Sequence, residues 1–146
     1  MRWFPSFTKE DKNFISFIQN TMKELEKEPY KAIIVYNDQW LPIYEYKDRT
    51  YFDGEFQEIL QLMEDASVSI ERNLKNEVLS LIKERLNYET PFVAFRYGKL
   101  LAIGIKEGEL FLVAVIDELN GKVSVDKTEK ALRDKLEIIK EKLQLR

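Results

Sequence analysis

The stretch FVAFRYGKLLAIGIKEGELFLVAVIDELNG, residues 92–121, decides the fold of this chain. It contains three apolar runs separated by short glycine turns: Phe92–Tyr97, Lys99–Lys106 and Glu109–Asp117, with turns at Gly98 and at Glu107-Gly108. Connections this short join antiparallel strands, so the stretch predicts three neighbouring strands of one sheet. The last two runs are nearly continuous in apolar residues, which indicates that both faces of the sheet are covered.

A predicted hairpin lies upstream of this stretch. Lys31–Tyr36 and Trp40–Lys47 have the composition of strands, and residues 37–39 (NDQ) between them favour a turn. Pro42 lies inside the second run. Because proline cannot donate a ladder hydrogen bond, it predicts that this strand forms an edge of the sheet. Phe92–Tyr97 has no internal proline, so that strand would be open for pairing if it forms the other edge.

Three further segments carry apolar residues at helical spacing. They are Thr8–Glu28, a long amphipathic segment of about 30 residues that begins near Phe56, and a last helix that begins near Asp126. Thr8 with Asp11 approximates a capping box, and Asp126 with Glu129 is a helix start signal.

The resulting element order, α-β-β-α-β-β-β-α, predicts an α/β (α+β) fold. The arrangement that suits it is a three-layer α/β/α structure with a five-stranded, mainly antiparallel sheet. The middle helix would cover one face of the sheet, and the two terminal helices would cover the other. A length of 146 residues fits one domain, and no linker divides the chain, so we expect a single domain over residues 1–146.

The composition argues against catalysis by the commonest groups. The chain has no histidine and no cysteine, which removes the usual general base, metal ligands and thiol nucleophile. It contains neither a P-loop nor a G-x-G-x-x-G motif. We therefore expect no enzymatic activity, no cofactor and no metal.

Two weaker chemical patterns favour a structural explanation. The S-x-x-K spacing occurs three times, at Ser6/Lys9, Ser80/Lys83 and Ser124/Lys127. The companion motifs of Ser-Lys enzymes are missing, so chance in a lysine-rich chain explains the spacing better. Adjacent carboxylates occur at Glu64-Asp65 and Asp117-Glu118. Neighbours in sequence rarely face each other across a cleft, as glycoside chemistry requires.

Charge and hydropathy limit the classes of partner that we expect for this chain. The net charge is −3, and lysines and arginines are interspersed with acidic residues, so we expect no nucleic-acid partner. The N-terminal sequence lacks a signal-peptide pattern and no stretch reaches the length of a membrane span, which predicts a cytoplasmic protein without a membrane partner. The Lys/Glu excess is typical of hyperthermophile proteins, and the sequence leaves both a thermophilic and a non-thermophilic source open.

Two surfaces are candidates for an interface between copies of the chain. Val93, Phe95 and Tyr97 would share one face of the Phe92–Tyr97 strand. The long helix carries Leu62, Val68 and Leu79 off its main apolar stripe, and a helix that is apolar over more than one face is buried in more than one direction. These residues predict a homodimer. Packing of the aromatic residues beneath the long helix is the alternative.

The element order, and residues 92–136 above all, resemble the roadblock/dynein light-chain-type domain. The resemblance implies a profilin/longin-like architecture that dimerises through the long helix and an edge strand. It also implies a non-catalytic scaffold or regulator of a small Ras-like GTPase, or of a motor or signalling assembly. The chain departs from that type at residues 37–39, where a glycine-containing turn is usual.

Two other interpretations stay open. The same element order also resembles PAS-like sensor domains, which bind a small ligand in an internal pocket. Among the apolar strands only Arg96 offers a polar group for such a pocket. The third interpretation is an unassigned α/β fold, which includes an enzyme that relies on Ser, Lys, Asp or Glu alone.

Overall fold

The structure, a computed structural model, describes residues 9–48, 92–119 and 121–145 together with eight helical positions between 58 and 85. The elements in chain order are α1 (Lys9–Met22), a 3₁₀ turn (Lys23–Leu25), β1 (Tyr30–Tyr36), β2 (Pro42–Lys47), β3 (Phe92–Tyr97), β4 (Leu100–Glu107), β5 (Leu110–Asp117) and α2 (Val125–Gln144). The five strands form one sheet in the order β2-β1-β5-β4-β3, and every neighbouring pair is antiparallel. The predicted α+β fold is confirmed.

The two edges of this sheet are β2 and β3. Pro42 is the first residue of β2, where the missing N–H does not interrupt the ladder, so the edge position predicted from this proline is confirmed. The central strand β5 pairs with β4 in a long ladder that runs without a break from Leu100↔Asp117 to Glu107↔Leu110.

One face of the sheet packs against α1 and α2, which also contact each other. The strands contribute alternate residues to this face, and each helix contributes one apolar stripe. The buried members of this core are Phe14, Ile18, Met22, Ile33, Val35, Tyr44, Leu101, Ile103, Ile105, Leu110, Leu112, Ala114, Ile116, Leu132, Leu136 and Ile139. The terminal helices therefore share one face of the sheet, as the sequence predicted.

The opposite face of the sheet is buried as well. Ala32, Ala102 and Val115 are at most 1% exposed, and Phe95 packs against this group. The near-continuous apolar runs of β4 and β5 are thus explained, since both sets of alternating side chains lie away from solvent.

Several boundaries differ from the sequence predictions. The first α-helix ends at Met22, not at Glu28, because the chain tightens into a 3₁₀ turn in which the Glu26 amide donates to the Lys23 carbonyl. The last helix begins at Val125, and its cap is Ser124, whose hydroxyl accepts from the Lys127 amide. Asp126 instead lies in the first turn, where its charge complements the helix dipole.

The predicted middle helix lies largely outside the described residues. The eight positions that are described there are all helical: Glu58, Gln61, Asp65, Ala66, Val68, Ser69, Glu84 and Arg85. The single-domain organisation of residues 1–146 stays a prediction for the same reason.

Candidate functional site

The first candidate surface is the β3 edge. Among the described strands, β3 has β4 as its one neighbour, so its other side is not part of a ladder with them. Register pairs Val93 with Gly104 and Phe95 with Ala102, which places both side chains on the face opposite the helices α1 and α2. Both are half-buried, whereas Ala94 between them is exposed.

The structure describes some of the remaining interface candidates, which are Tyr97, Leu62, Val68 and Leu79. Tyr97 pairs with Leu100 in the same ladder, and its side chain lies outside the described part. Val68 is helical and half-buried. Leu62 and Leu79 lie outside the described residues, so an interface formed by the six candidates stays a prediction.

An ion pair fixes the end of β3 to the loop after β5. Arg96 Nε donates to Glu118 Oε1 over 2.7 Å, and Arg96 Nη2 lies 3.3 Å from Oε2. The Glu118 carboxylate also accepts from the Val123 amide at 2.9 Å. Its hydrogen bond with Arg96 lowers the pKa of Glu118 below the ordinary value. The strand edge, the loop and the approach to α2 are thereby joined through one carboxylate.

A second charged cluster joins α2 to the end of the β4 strand. Glu107 accepts from Arg133 at 3.0 Å and from Lys140 at 2.9 Å, and its side chain is 8% exposed. Arg133 also donates to the Lys106 carbonyl at 3.1 Å. Every charge in this cluster is paired with its neighbours across two elements, which is the pattern of a structural anchor.

The weak catalytic patterns have structural roles where the structure describes them. Ser124 caps α2 through Lys127, as given above. Asp117 accepts from the Leu119 amide at 2.8 Å, and Asp65 accepts from Gln61 at 2.9 Å. Ser6, Glu64 and the Ser80/Lys83 pair lie outside the described residues. In the described part, no group of His, Cys, Asp and Glu has the arrangement to hold a metal ion.

A cleft lies between α1, the β1–β2 turn, the β4–β5 turn and the end of α2, with a volume of about 160 Å³. Ligand pockets are usually about 300 Å³ or larger. The cleft therefore gives little support to the alternative of a PAS-like sensor. Arg96, the polar group considered for such a pocket, is engaged by Glu118. Within the described ranges, no helix is both long and apolar enough to cross a membrane.

Sequence reasoning missed the partner of Arg96 and the whole cleft. Arg96 and Glu118 are 22 residues apart, and neither lies in a motif that signals their pairing. The lining of the cleft comes from four elements that are distant in sequence. A sheet order deduced in advance would have been the one available signal, since β3 and β5 flank β4 and their C-terminal ends both lie at the N-terminal end of β4.

Comparison with known proteins identifies the fold. No protein-family model and no curated protein sequence matches the chain. Among solved structures, it is similar to MglB of Myxococcus xanthus, with a TM-score of 0.54, 14% identity and coverage of 96% of both chains. MglC from Myxococcus xanthus aligns with a TM-score of 0.45 and 14% identity, over 90% of this chain and 97% of that one. Together with the sheet order, the likeness to MglB shows that the chain has a roadblock-type fold.

Proposed function

We propose that this chain is a non-catalytic, cytoplasmic, homodimeric scaffold or regulator of a small Ras-like GTPase. The observation that carries the proposal is the β3 edge of a roadblock-type sheet: a proline-free edge strand with half-buried Val93 and Phe95. The resemblance to roadblock-type domains, which dimerise through such a strand and the long helix, supplies the function.

The contrast between the two edges supports β3 as the pairing surface. β2 begins with Pro42 and carries Glu45 and Lys47, whose side chains form an ion pair of 3.1 Å. Proline and charge are the usual means by which an edge is protected from pairing. β3 has no proline, and its one charged residue, Arg96, is held by Glu118 at the strand end.

The dimer is tested by light scattering on the full chain. We expect twice the chain mass of 17.4 kDa. Phe95→Asp should dissociate the dimer because it places a charge in the apolar face of the edge strand. Phe95 also packs against core residues, so a second variant is needed. Ala94→Lys changes an exposed position and puts a like charge on both copies of the pairing strand.

The matched control is Ile138→Asp on α2, a 43% exposed apolar residue away from the β3 edge. It should leave the dimer intact. Circular dichroism must show that each variant is folded. A wild-type monomer at high concentration, or a dimer that survives both β3 variants, would contradict the proposed interface.

The GTPase role is tested with purified small Ras-like GTPases of the source organism, each loaded with GDP or with a non-hydrolysable GTP analogue. We expect one of them to bind in a nucleotide-dependent way in titration calorimetry. A change in its nucleotide exchange or hydrolysis rate would identify regulation, and binding alone would identify a scaffold. If none binds in either nucleotide state, the GTPase proposal is wrong.

A further inference from the structure

The cleft of about 160 Å³ is lined by an apolar group of residues and by a smaller polar group. Its apolar part comes from two helices and two strands: Phe14, Ile15, Ile18, Ile43, Leu110 and Leu143. Its polar part comprises Asp11, Asn37, Asp38 and Glu109. Among the described residues that line it there are three carboxylates and neither lysine nor arginine, so the cleft combines an apolar floor with negative charge.

The turn that carries Asp38 is organised in advance of any binding. The Asn37 side-chain oxygen accepts from the amides of Gln39 at 2.9 Å and Leu41 at 3.0 Å. Trp40 has a positive φ of 60°, a conformation that is costly for a residue with a side chain. Its ring packs at 5.4 Å from that of Phe111, which holds the turn in place. Strain that the surrounding structure maintains in this way is typical of binding surfaces.

The size of the cleft limits its occupant to one side chain. A cavity of about 150 Å³ accepts a benzene molecule, whereas drug-sized ligands need about 300 Å³ or more.

The charge of the lining determines which residues can flank the side chain that fills the cleft, here called the anchor. The exposed carboxylates of Asp38 and Glu109 repel phosphates, which disfavours nucleic acids and anionic lipid surfaces, and they attract lysine or arginine. We propose that the cleft binds a segment of a partner protein in which one aliphatic or aromatic anchor residue is flanked by arginine or lysine. This site lies on the face of α1 and α2, and the proposal does not depend on the GTPase role or on dimerisation through β3.

The test uses the ¹⁵N-labelled full chain and three capped peptides as probes. They have the sequences Gly-Arg-Leu-Arg-Gly, Gly-Arg-Ala-Arg-Gly and Gly-Glu-Leu-Glu-Gly. The first should shift the amide resonances of Asp38, Leu110 and Leu143 in a saturable manner. Truncation of the anchor to alanine should weaken binding about tenfold, since it removes most of the buried apolar surface. The acidic peptide should not bind.

Variants of the lining locate the site. Asp38→Asn and Glu109→Gln should each weaken binding of the arginine peptide roughly two- to fivefold, the range of solvent-accessible ion pairs. Asp134→Asn, at an exposed position on α2, is the matched control and should have no effect. Shifts confined to other residues, equal binding of the acidic peptide, or unchanged affinity in both lining variants would overturn the proposal.

One competing occupant is the N-terminal segment of the chain itself, MRWFPSFT, which precedes α1 and combines Arg2 with aromatic residues. If this segment filled the cleft, Arg2→Glu would release it and strengthen binding of the arginine peptide several-fold. That result would assign the cleft to the chain's own N-terminus and overturn the assignment to a partner. Unchanged affinity in this variant supports the partner.

Discussion

Arg96 Nε lies 2.7 Å from Glu118 Oε1, and this contact joins the edge strand β3 to the loop that leads into α2. The two side chains differ in environment, since that of Arg96 is 43% exposed and that of Glu118 is 4% exposed. Solvent screens the guanidinium but not the carboxylate, which also accepts from the Val123 amide. The contact is therefore better understood as an anchor for the buried carboxylate than as a surface ion pair.

The first prediction concerns Glu118→Gln. The amide oxygen of glutamine can still accept from Val123, but the charge-assisted bonds to Arg96 are lost. We expect the free energy of unfolding to fall by about 1 kcal/mol, at the lower end of the range for bonds to charged groups because Arg96 is exposed. Urea denaturation measures it, with Asp134→Asn as the control. A stability equal to that of the wild type would show that this contact contributes nothing.

The strands were well predicted from the sequence because their signals are local. Gly98 and Gly108 both have a positive φ, and each marks a turn between apolar runs. β3 has the predicted bounds, β4 is shifted by one residue at both ends, and β5 begins one residue later than predicted. Pro42 alone identified one edge of the sheet, because proline cannot donate a ladder hydrogen bond.

Features that depend on two distant segments were not predictable in this way. The Glu107 cluster needs α2 to pass over the β4–β5 turn, and the cleft needs α1 to lie beside the β1–β2 turn. The strand-like run Trp40–Lys47 places Trp40 in a strand, whereas β2 begins at Pro42 and Trp40 turns its backbone while its ring packs on Phe111. Tertiary packing overrode the local preference there.

The second prediction concerns acid. Burial raises the pKa of Glu107, but hydrogen bonds from Lys140 and Arg133 outweigh it, so its pKa in the folded state is lowered. That of Glu118 is also lowered, by Arg96. A group with a depressed folded-state pKa contributes stability that is present above its unfolded pKa, about 4.3 for glutamate, and lost below it. Unfolding free energy should therefore fall as the pH decreases below about 4.3.

The Glu107→Gln variant separates this cluster from the other carboxylates. At pH 7 it should lower the free energy of unfolding by about 2 kcal/mol, because Arg133 and Lys140 lose their charged acceptor. Its stability should also decline less steeply in acid than that of the wild type. The measurement is urea denaturation at a series of pH values. Equal acid slopes in the two proteins would contradict the assignment to Glu107.

The third prediction concerns alkali. Burial, together with the hydrogen bond from the Tyr44 hydroxyl to Glu26 at 2.5 Å, raises the pKa of Tyr44. A raised folded-state pKa gives stability that is present below the unfolded value, about 10 for tyrosine, and lost above it. The wild type should lose stability as the pH rises beyond about 10, and Tyr44→Phe should lose less. A fluorescence-monitored melting curve at each pH measures this, and an alkaline loss of stability in Tyr44→Phe equal to that of the wild type would contradict the assignment to Tyr44.

The fourth prediction concerns Gly104, where β4 passes between the side chains of its two neighbouring strands. A Cβ at this position would lie 2.9 Å from Val93 Cγ1 and 2.9 Å from Phe111 Cζ, closer than carbon atoms approach. Gly104→Ala should therefore lower the free energy of unfolding by about 1–3 kcal/mol, the range for an overpacked core. Val93→Ala in the same chain removes one of the two clashes, so the double variant should be more stable than the sum of the single changes predicts. Strict additivity in urea denaturation would show that Val93 moves aside without cost, and the proposed β3 surface would then be more adaptable than its packing indicates.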